Sequence, residues 1–187
     1  MKKVFLDCGA HIGESIQTFI RYWSDWKEYE IHSFEANPEL TKHFDQFKSH
    51  NNVHFHPVAV WIDDGMVDFY ICSSHNKVGS SINANKNSLT KNYINVKSVD
   101  IAQFILTTFE KTDHIVMKID IEGSEYDVIP HLINTGAINF IDEMYIETHA
   151  LKVKLTEDDD DKLFESIRVA NPNLHLYTDT SKSLNFR

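Results

Sequence analysis

The chain has 187 residues, with 18 basic and 28 acidic side chains, a net charge of −10 and 42% hydrophobic residues. That acidity excludes a general nucleic-acid binder, which needs basic surface to displace counterions, and no apolar run approaches the ~20 residues of a membrane span. Cys8 and Cys72 are too few for a disulfide scaffold, and Val4, Phe5 and Leu6 run into Asp7 rather than into a secretory signal, so a cytoplasmic, single-domain protein over 1–187 is expected.

The elements alternate along the chain. "KKVFLDCGA" reads as a buried strand, and "ESIQTFIRYW" as a helix with Ile16, Phe19, Ile20 and Trp23 on one face. "EIHSFEANP" is a second strand ended by Pro38, and "PELTKHFDQFKS" a helix with Pro38 at its start. "NVHFHPVAVW" is a third strand. "MVDFYICS" is a further strand, in a hairpin after the turn at Asp64-Gly65. Residues 73–95 are polar, rich in Ser and Asn, and read as a surface loop that could serve as a lid. "VKSVDIAQFILTTF" resumes with a short strand and a helix capped by Ser98 or Asp100. "HIVMKIDIEG" is a buried strand ending in acids. Ser124 is placed to cap the next helix, "EYDVIPHLINTG", which Pro130 should kink and Gly136 should stop. "IDEMYIETH" is a strand, "TEDDDDKLFESIRVAN" a helix with Thr156 as N-cap, and "LHLYTDTSKSLNF" a closing strand pair. The acid run from Asp158 to Asp161 lacks the spaced ligands of an EF-hand and reads as first-turn acids that favour the helix dipole.

Alternating strands and helices imply an α/β domain with a mostly parallel sheet covered on both faces, and a ligand site beyond the carboxyl ends of the strands. The first strand ends in Asp7-Cys8-Gly9-Ala10-His11-Ile12-Gly13. Gly9 and Gly13 allow a tight turn and close backbone approach, but Asp7 stands where a dinucleotide motif has its first glycine, and it would repel a pyrophosphate. A ligand without phosphate and with cationic groups fits better, and S-adenosyl-L-methionine has both properties. Glu35 ends the second strand, where an acid accepts hydrogen bonds from ribose hydroxyls. Val58, Ala59 and Val60 offer either an apolar wall for adenine or plain core. Asp120, Glu122 and Glu125 crowd one strand end, and Glu147 and His149 the next, so Asp120, Glu147 and His149 converge if those strands are neighbours.

"FLDCGAHIGES", "FEANPE", "GSSI", "VKSVDIAQFI" and "MKIDIEGSEYDVI" come in an order and spacing that resembles the FkbM-type methyltransferases, over roughly residues 4–147. The resemblance implies a Rossmann-like class I methyltransferase fold with a seven-stranded, mostly parallel sheet and S-adenosyl-L-methionine as methyl donor. It implies cofactor contacts from Asp7, Gly9, Ala10, His11, Gly13, Glu35, Ala36, Ala59, Asp120 and Glu122. Many members act as O-methyltransferases, so a hydroxyl on a sugar or small metabolite is the expected acceptor. Asp120 and His149 are then the catalytic candidates, as groups that take the acceptor's proton. No resident metal is expected, with a divalent ion on Asp120, Glu147 and His149 as the variant. Pro130 departs from the regular helix of the family pattern. The chain also begins at the first strand, so the acceptor cleft is expected to be open, or closed by residues 73–95 or by a second subunit in a homodimer. A cofactor-binding module without catalysis and, less well matched, a nicotinamide-dependent oxidoreductase remain the alternatives.

Overall fold

The computed structural model describes residues 1–72, 79–84, 86 and 89–178. Strand β1 (Lys3–Cys8) leads through a glycine turn to helix α1 (Glu14–Tyr22), and β2 (Tyr29–Phe34) to a 3-10 helix over Pro38–Phe47. Next come β3 (Val53–His56), β4 (Ala59–Trp61), β5 (Gly65–Cys72) and β6 (Leu89–Asp100), the last entering α2 (Ile101–Thr108) directly. The second half alternates β7 (His114–Ile119), α3 (Glu125–Thr135), β8 (Ile141–Ile146), α4 (Glu157–Ala170) and β9 (His175–Tyr177).

Six strands form one parallel sheet in the order β3-β2-β1-β7-β8-β9. The period-2 alternation of strands decides what lies on each face. Val4, Leu6, Cys8, Ile115, Met117, Ile119, Met144 and Ile146 pack against α2, α3 and α4. Phe5, Ile31, Val116 and Tyr145 pack on the other face against Ile16 and Phe19 of α1 and Trp23 at its C-cap, where the Phe5 and Phe19 rings stack at 4.2 Å. This is the Rossmann-like α/β architecture with helices on both faces.

Several expectations are corrected. The main sheet has six strands among the described residues, not seven. β5 and β6 pair in a separate sheet instead of extending the main one, and the stretch read as a single third strand is divided between the two. Pro57 has no N–H for a sheet ladder, and the chain divides there into β3 of the main sheet and β4 of a separate three-stranded sheet, β4-β6-β5. The hairpin partner of β5 is β6, which runs antiparallel to it, whereas β4 lies parallel to β6. Residues 89–95, read as loop, therefore belong to a strand; of the remainder, 73–78, 85, 87 and 88 lie outside the described residues. The segment Pro38–Phe47 winds as a 3-10 helix rather than an α-helix, with the Asn37 side chain accepting from the Glu39 N–H at 3.1 Å. At the C-terminus one strand, β9, replaces the expected pair, and residues 179–187 lie outside the described residues.

The caps divide likewise. Asp100, not Ser98, caps α2 by accepting from the Gln103 N–H at 3.0 Å. Thr156 caps α4, its N–H and hydroxyl donating to Asp159 at 2.9 and 2.8 Å, which accounts for one member of the acid run. Ser124 precedes α3 but makes no capping bond. Pro130 lies inside α3, and Gly136 ends that helix in the left-handed conformation.

At the β2–β3 edge, His32 stacks on His54 and His56, and His32 Nδ1 and His56 Nε2 share a hydrogen bond of 2.9 Å. Burial, with the nearby His32 and His54, pushes His56 down to about 4 from its ordinary 6.5. The unfolded chain then binds a proton that the folded chain refuses, so stability is full above about pH 6.5 and falls as pH drops toward 4. His56→Phe, which keeps the stack on Phe34, is expected to flatten this acid limb in urea unfolding measured between pH 4 and 7. An unchanged limb would assign the loss to other groups.

Candidate functional site

The carboxyl ends of β1, β2 and β7 open into a cavity of about 470 Å³. Gly9, Ala10, His11, Glu35, Ala36, Ala59, Asp120 and Glu122 all line it, with Asn37, Lys118 and Ser124 between them. Gly13, which caps α1, and the buried Asp7 and His149 stand behind its wall.

The floor is a crossing of backbones. Gly9 has φ +84°, and a Cβ there would lie 1.9 Å from the Asp120 carbonyl oxygen. The Gly9 and Ala10 N–H groups both donate to the Phe34 carbonyl, and the Asp120 N–H donates to the Cys8 carbonyl at 3.1 Å. The turns after β1, β2 and β7 are thereby fixed to one another.

Asp7 is fully buried on the α1 face, opposite Ser33 of β2 and Lys118 of β7 in the strand register. Its Oδ2 accepts from Ser15 at 2.6 Å and Ser33 at 3.1 Å, while Oδ1 makes no hydrogen bond. Lys118 donates to the Gly9 carbonyl at 2.7 Å and stands 3.7 Å from Asp7 and 3.3 Å from Asp120. Burial alone would lower the Lys118 ammonium, but the charges of Asp120 and Asp7 outweigh it and hold the group raised. Lys118 thus binds the first-strand turn to the acid at the end of β7.

On the β2 side, Glu35 accepts from the His11 N–H at 2.8 Å and the Asn37 N–H at 2.7 Å. Burial pushes its carboxyl up against these two bonds. Asn37 is buried, and its Nδ2 makes no hydrogen bond within the protein although the residue lines the cavity. Ser124 Oγ is in the same condition. Buried polar atoms are seldom left unpaired, so both belong to a surface shaped for a polar ligand. Opposite them, Val58, Ala59, Val60, Phe69 and Ile82 supply an apolar wall.

Beyond Asp120 the chain turns through Glu122, at φ +57°, and Gly123. Glu125, fully buried, accepts the Ile121 N–H at 2.9 Å and the Gly123 N–H at 2.8 Å, and its Oε1 lies 3.1 Å from His149 Nδ1. Nε2 of His149 stands 3.3 Å from Glu122, 3.7 Å from Glu147 and 3.8 Å from Asp120, and makes no hydrogen bond. Burial would lower the imidazole, but the Glu125 bond and the charges of Glu125, Glu122 and Asp120 hold it raised. From the connection between β5 and β6, Ser81 donates to the Glu122 carbonyl at 2.8 Å, Asn83 to the Gly123 carbonyl at 3.3 Å, and Lys86 pairs with the Glu122 carboxylate.

The structure therefore brings Asp120, Glu122 and His149 together, with Glu147 half-exposed at the rim. Four contributors escape the sequence reading: Lys118, Glu125, Asn37 and Ser124. Ser124 reads there as an ordinary cap, and Glu125 only as one of three acids crowding a strand end. Lys118, a charge inside an otherwise apolar strand, was the one available signal.

A glycine turn after the first strand and an acid after the second, at the carboxyl ends of a Rossmann-like sheet, are the places where α/β folds of this class hold their ligands. The methyltransferase FkbM domain matches residues 7–171, and the chain belongs to that family of methyltransferases. No curated protein and no solved structure matches it significantly. Among the described residues, no helix is long and apolar enough to cross a membrane.

Proposed function

We propose that the protein transfers the methyl group of S-adenosyl-L-methionine to a hydroxyl oxygen of a sugar or other small polar metabolite. The observation that supports this most directly is the Glu35 carboxylate standing beside the unpartnered Nδ2 of Asn37 at the end of β2. Each Glu35 oxygen already accepts one backbone N–H and keeps a lone pair for a ribose hydroxyl. Ala36, Ala59 and the neighbouring apolar wall fit an adenine ring, and the Gly9 turn admits the amino-acid end close to the backbone. Asp120, which lines the cavity at the end of β7, would take up positive charge there. Asp7 lies beneath the wall, so its part is to hold Ser15, Ser33 and Lys118 rather than to touch the cofactor.

The cofactor supplies the activated methyl group. The chain's own work is to hold the acceptor oxygen in line and to offset the charge it develops, and both are positioning effects. Asp120 and His149 are the groups suited to that charge, the first at the cavity surface and the second behind it.

Calorimetric titration with S-adenosylhomocysteine, with NAD as comparison, tests the reading. Micromolar binding of S-adenosylhomocysteine and none of NAD is expected. Glu35→Ala should weaken binding roughly 100-fold, since hydrogen bonds to a charged group contribute about 1.5–3 kcal/mol each. Preference for NAD, or undiminished binding by the variant, would overturn it.

A further inference from the structure

We propose that Asp120, Glu122 and His149 form a site for one divalent cation of the Mn²⁺/Mg²⁺ class. Their ligating atoms all lie within 4.8 Å of one another. The independent sign is His149. Its side chain is 1% exposed, and its buried Nε2 makes no hydrogen bond while facing Glu122 at 3.3 Å and Asp120 at 3.8 Å.

The other ring nitrogen explains the direction. Nδ1 lies 3.1 Å from the buried Glu125 carboxylate, which can only accept, so Nδ1 carries the proton there. With Nδ1 turned to Glu125, Nε2 is the ring nitrogen aimed at Glu122 and Asp120, where it can serve as a ligand. A carboxylate behind a histidine is the usual support for a metal-ligating imidazole.

Among the described residues, the carboxylates of Asp7, Asp120, Glu122, Glu125 and Glu147 share this corner with the ammonium groups of Lys86, Lys118 and Lys152. Lys86 and Lys152 hold Glu122 at Oε2, the oxygen that also faces Nε2, and Lys118 holds Asp120 at Oδ2, whereas Asp120 Oδ1 faces Nε2; Nε2 itself makes no hydrogen bond.

The spacing suits an octahedral ion. Ligand atoms about 2.1 Å from such an ion stand about 3 Å apart, so the observed 3.3 and 3.8 Å need only a small inward rotation. Two carboxylates and one imidazole leave coordination positions open toward the cavity, which Asp120 and Glu122 line. Glu147, 3.7 Å from Nε2, is close enough to hold a metal-bound water. In this role the ion would bind the acceptor hydroxyl and lower its pKa. That role rests on the methyltransferase reading; the site itself does not.

Titration of the wild-type protein with Mn²⁺, followed by EPR, is expected to show one ion bound per chain. Pulsed EPR of the bound ion should show nitrogen coupling that His149→Gln removes. Glu125→Gln keeps all three ligands and should weaken Mn²⁺ binding roughly 10–100-fold. Wild-type protein that takes up no stoichiometric Mn²⁺, or whose bound ion shows no nitrogen coupling, overturns the site, and neither result depends on how the variants fold. S-adenosylhomocysteine binding in the same samples separates the two readings. Cofactor binding without Mn²⁺ uptake removes the metal site alone. Mn²⁺ uptake without cofactor binding leaves the metal site standing and removes the cofactor reading.

Discussion

Gly9→Ala is expected to destabilise the protein by about 3 kcal/mol or more and to abolish cofactor binding. Two costs add. Alanine at φ +84° occupies the left-handed region, at about 1–2 kcal/mol. The new methyl would also stand 1.9 Å from the Asp120 carbonyl oxygen, which is backbone and cannot rotate away. Relief requires the β1 and β7 turns to part, breaking the Asp120–Cys8 bond and the Lys118 bond to the Gly9 carbonyl. Gly136→Ala is the control. It has a similar φ, +80°, but nothing lies within 4 Å of the added atom. It should cost only the conformational part, about 1 kcal/mol. Urea unfolding of both variants gives the comparison, and equal losses would deny the steric part of the argument.

Lys118→Met is expected to cost about 3–5 kcal/mol, the range for removing one member of a buried ion pair. Methionine matches the stem but leaves Asp7, fully buried, without its counter-charge, and frees Asp120 and the Gly9 carbonyl at once. Asp7→Asn in the same background should recover part of the loss, because the neutral amide no longer needs a cation. A double-mutant cycle by chemical denaturation reads the coupling directly. Additive losses would mean that Lys118 and Asp7 act separately.

The legible parts of the fold were those with a strong local pattern. β1 and β7 have apolar runs, as strands of a doubly covered parallel sheet should, and β1, β2, β7 and β8 each end at or beside an acid. Glu35 and the Gly9 turn could be read because their chemistry sits at strand ends. The small sheet was not legible. β4 has three residues, and its partner β6 follows across a long polar stretch, so no local period announces the pairing. In the site, Glu125 and Ser124 misled for a related reason. A serine followed by an acid at a helix start is so ordinary a cap that only the folded chain reveals the reversed roles. The carboxylate turns back to the backbone of 121–123, and the hydroxyl is left facing the cavity.

The connection between β5 and β6 is tied to the main-sheet turn by Ser81 and Asn83 on the carbonyls of Glu122 and Gly123 and by Lys86 on the Glu122 carboxylate. Phe69, Gly79, Ser80 and Ile82 from the same region form one side of the cavity, while the deeper catalytic candidates come from the main sheet. On the proposed methyltransferase reading, a transplant of residues 62–97 between homologues, with Ser81, Asn83 and Lys86 retained as the seam, is expected to change the acceptor while the residues of the main sheet stay in place.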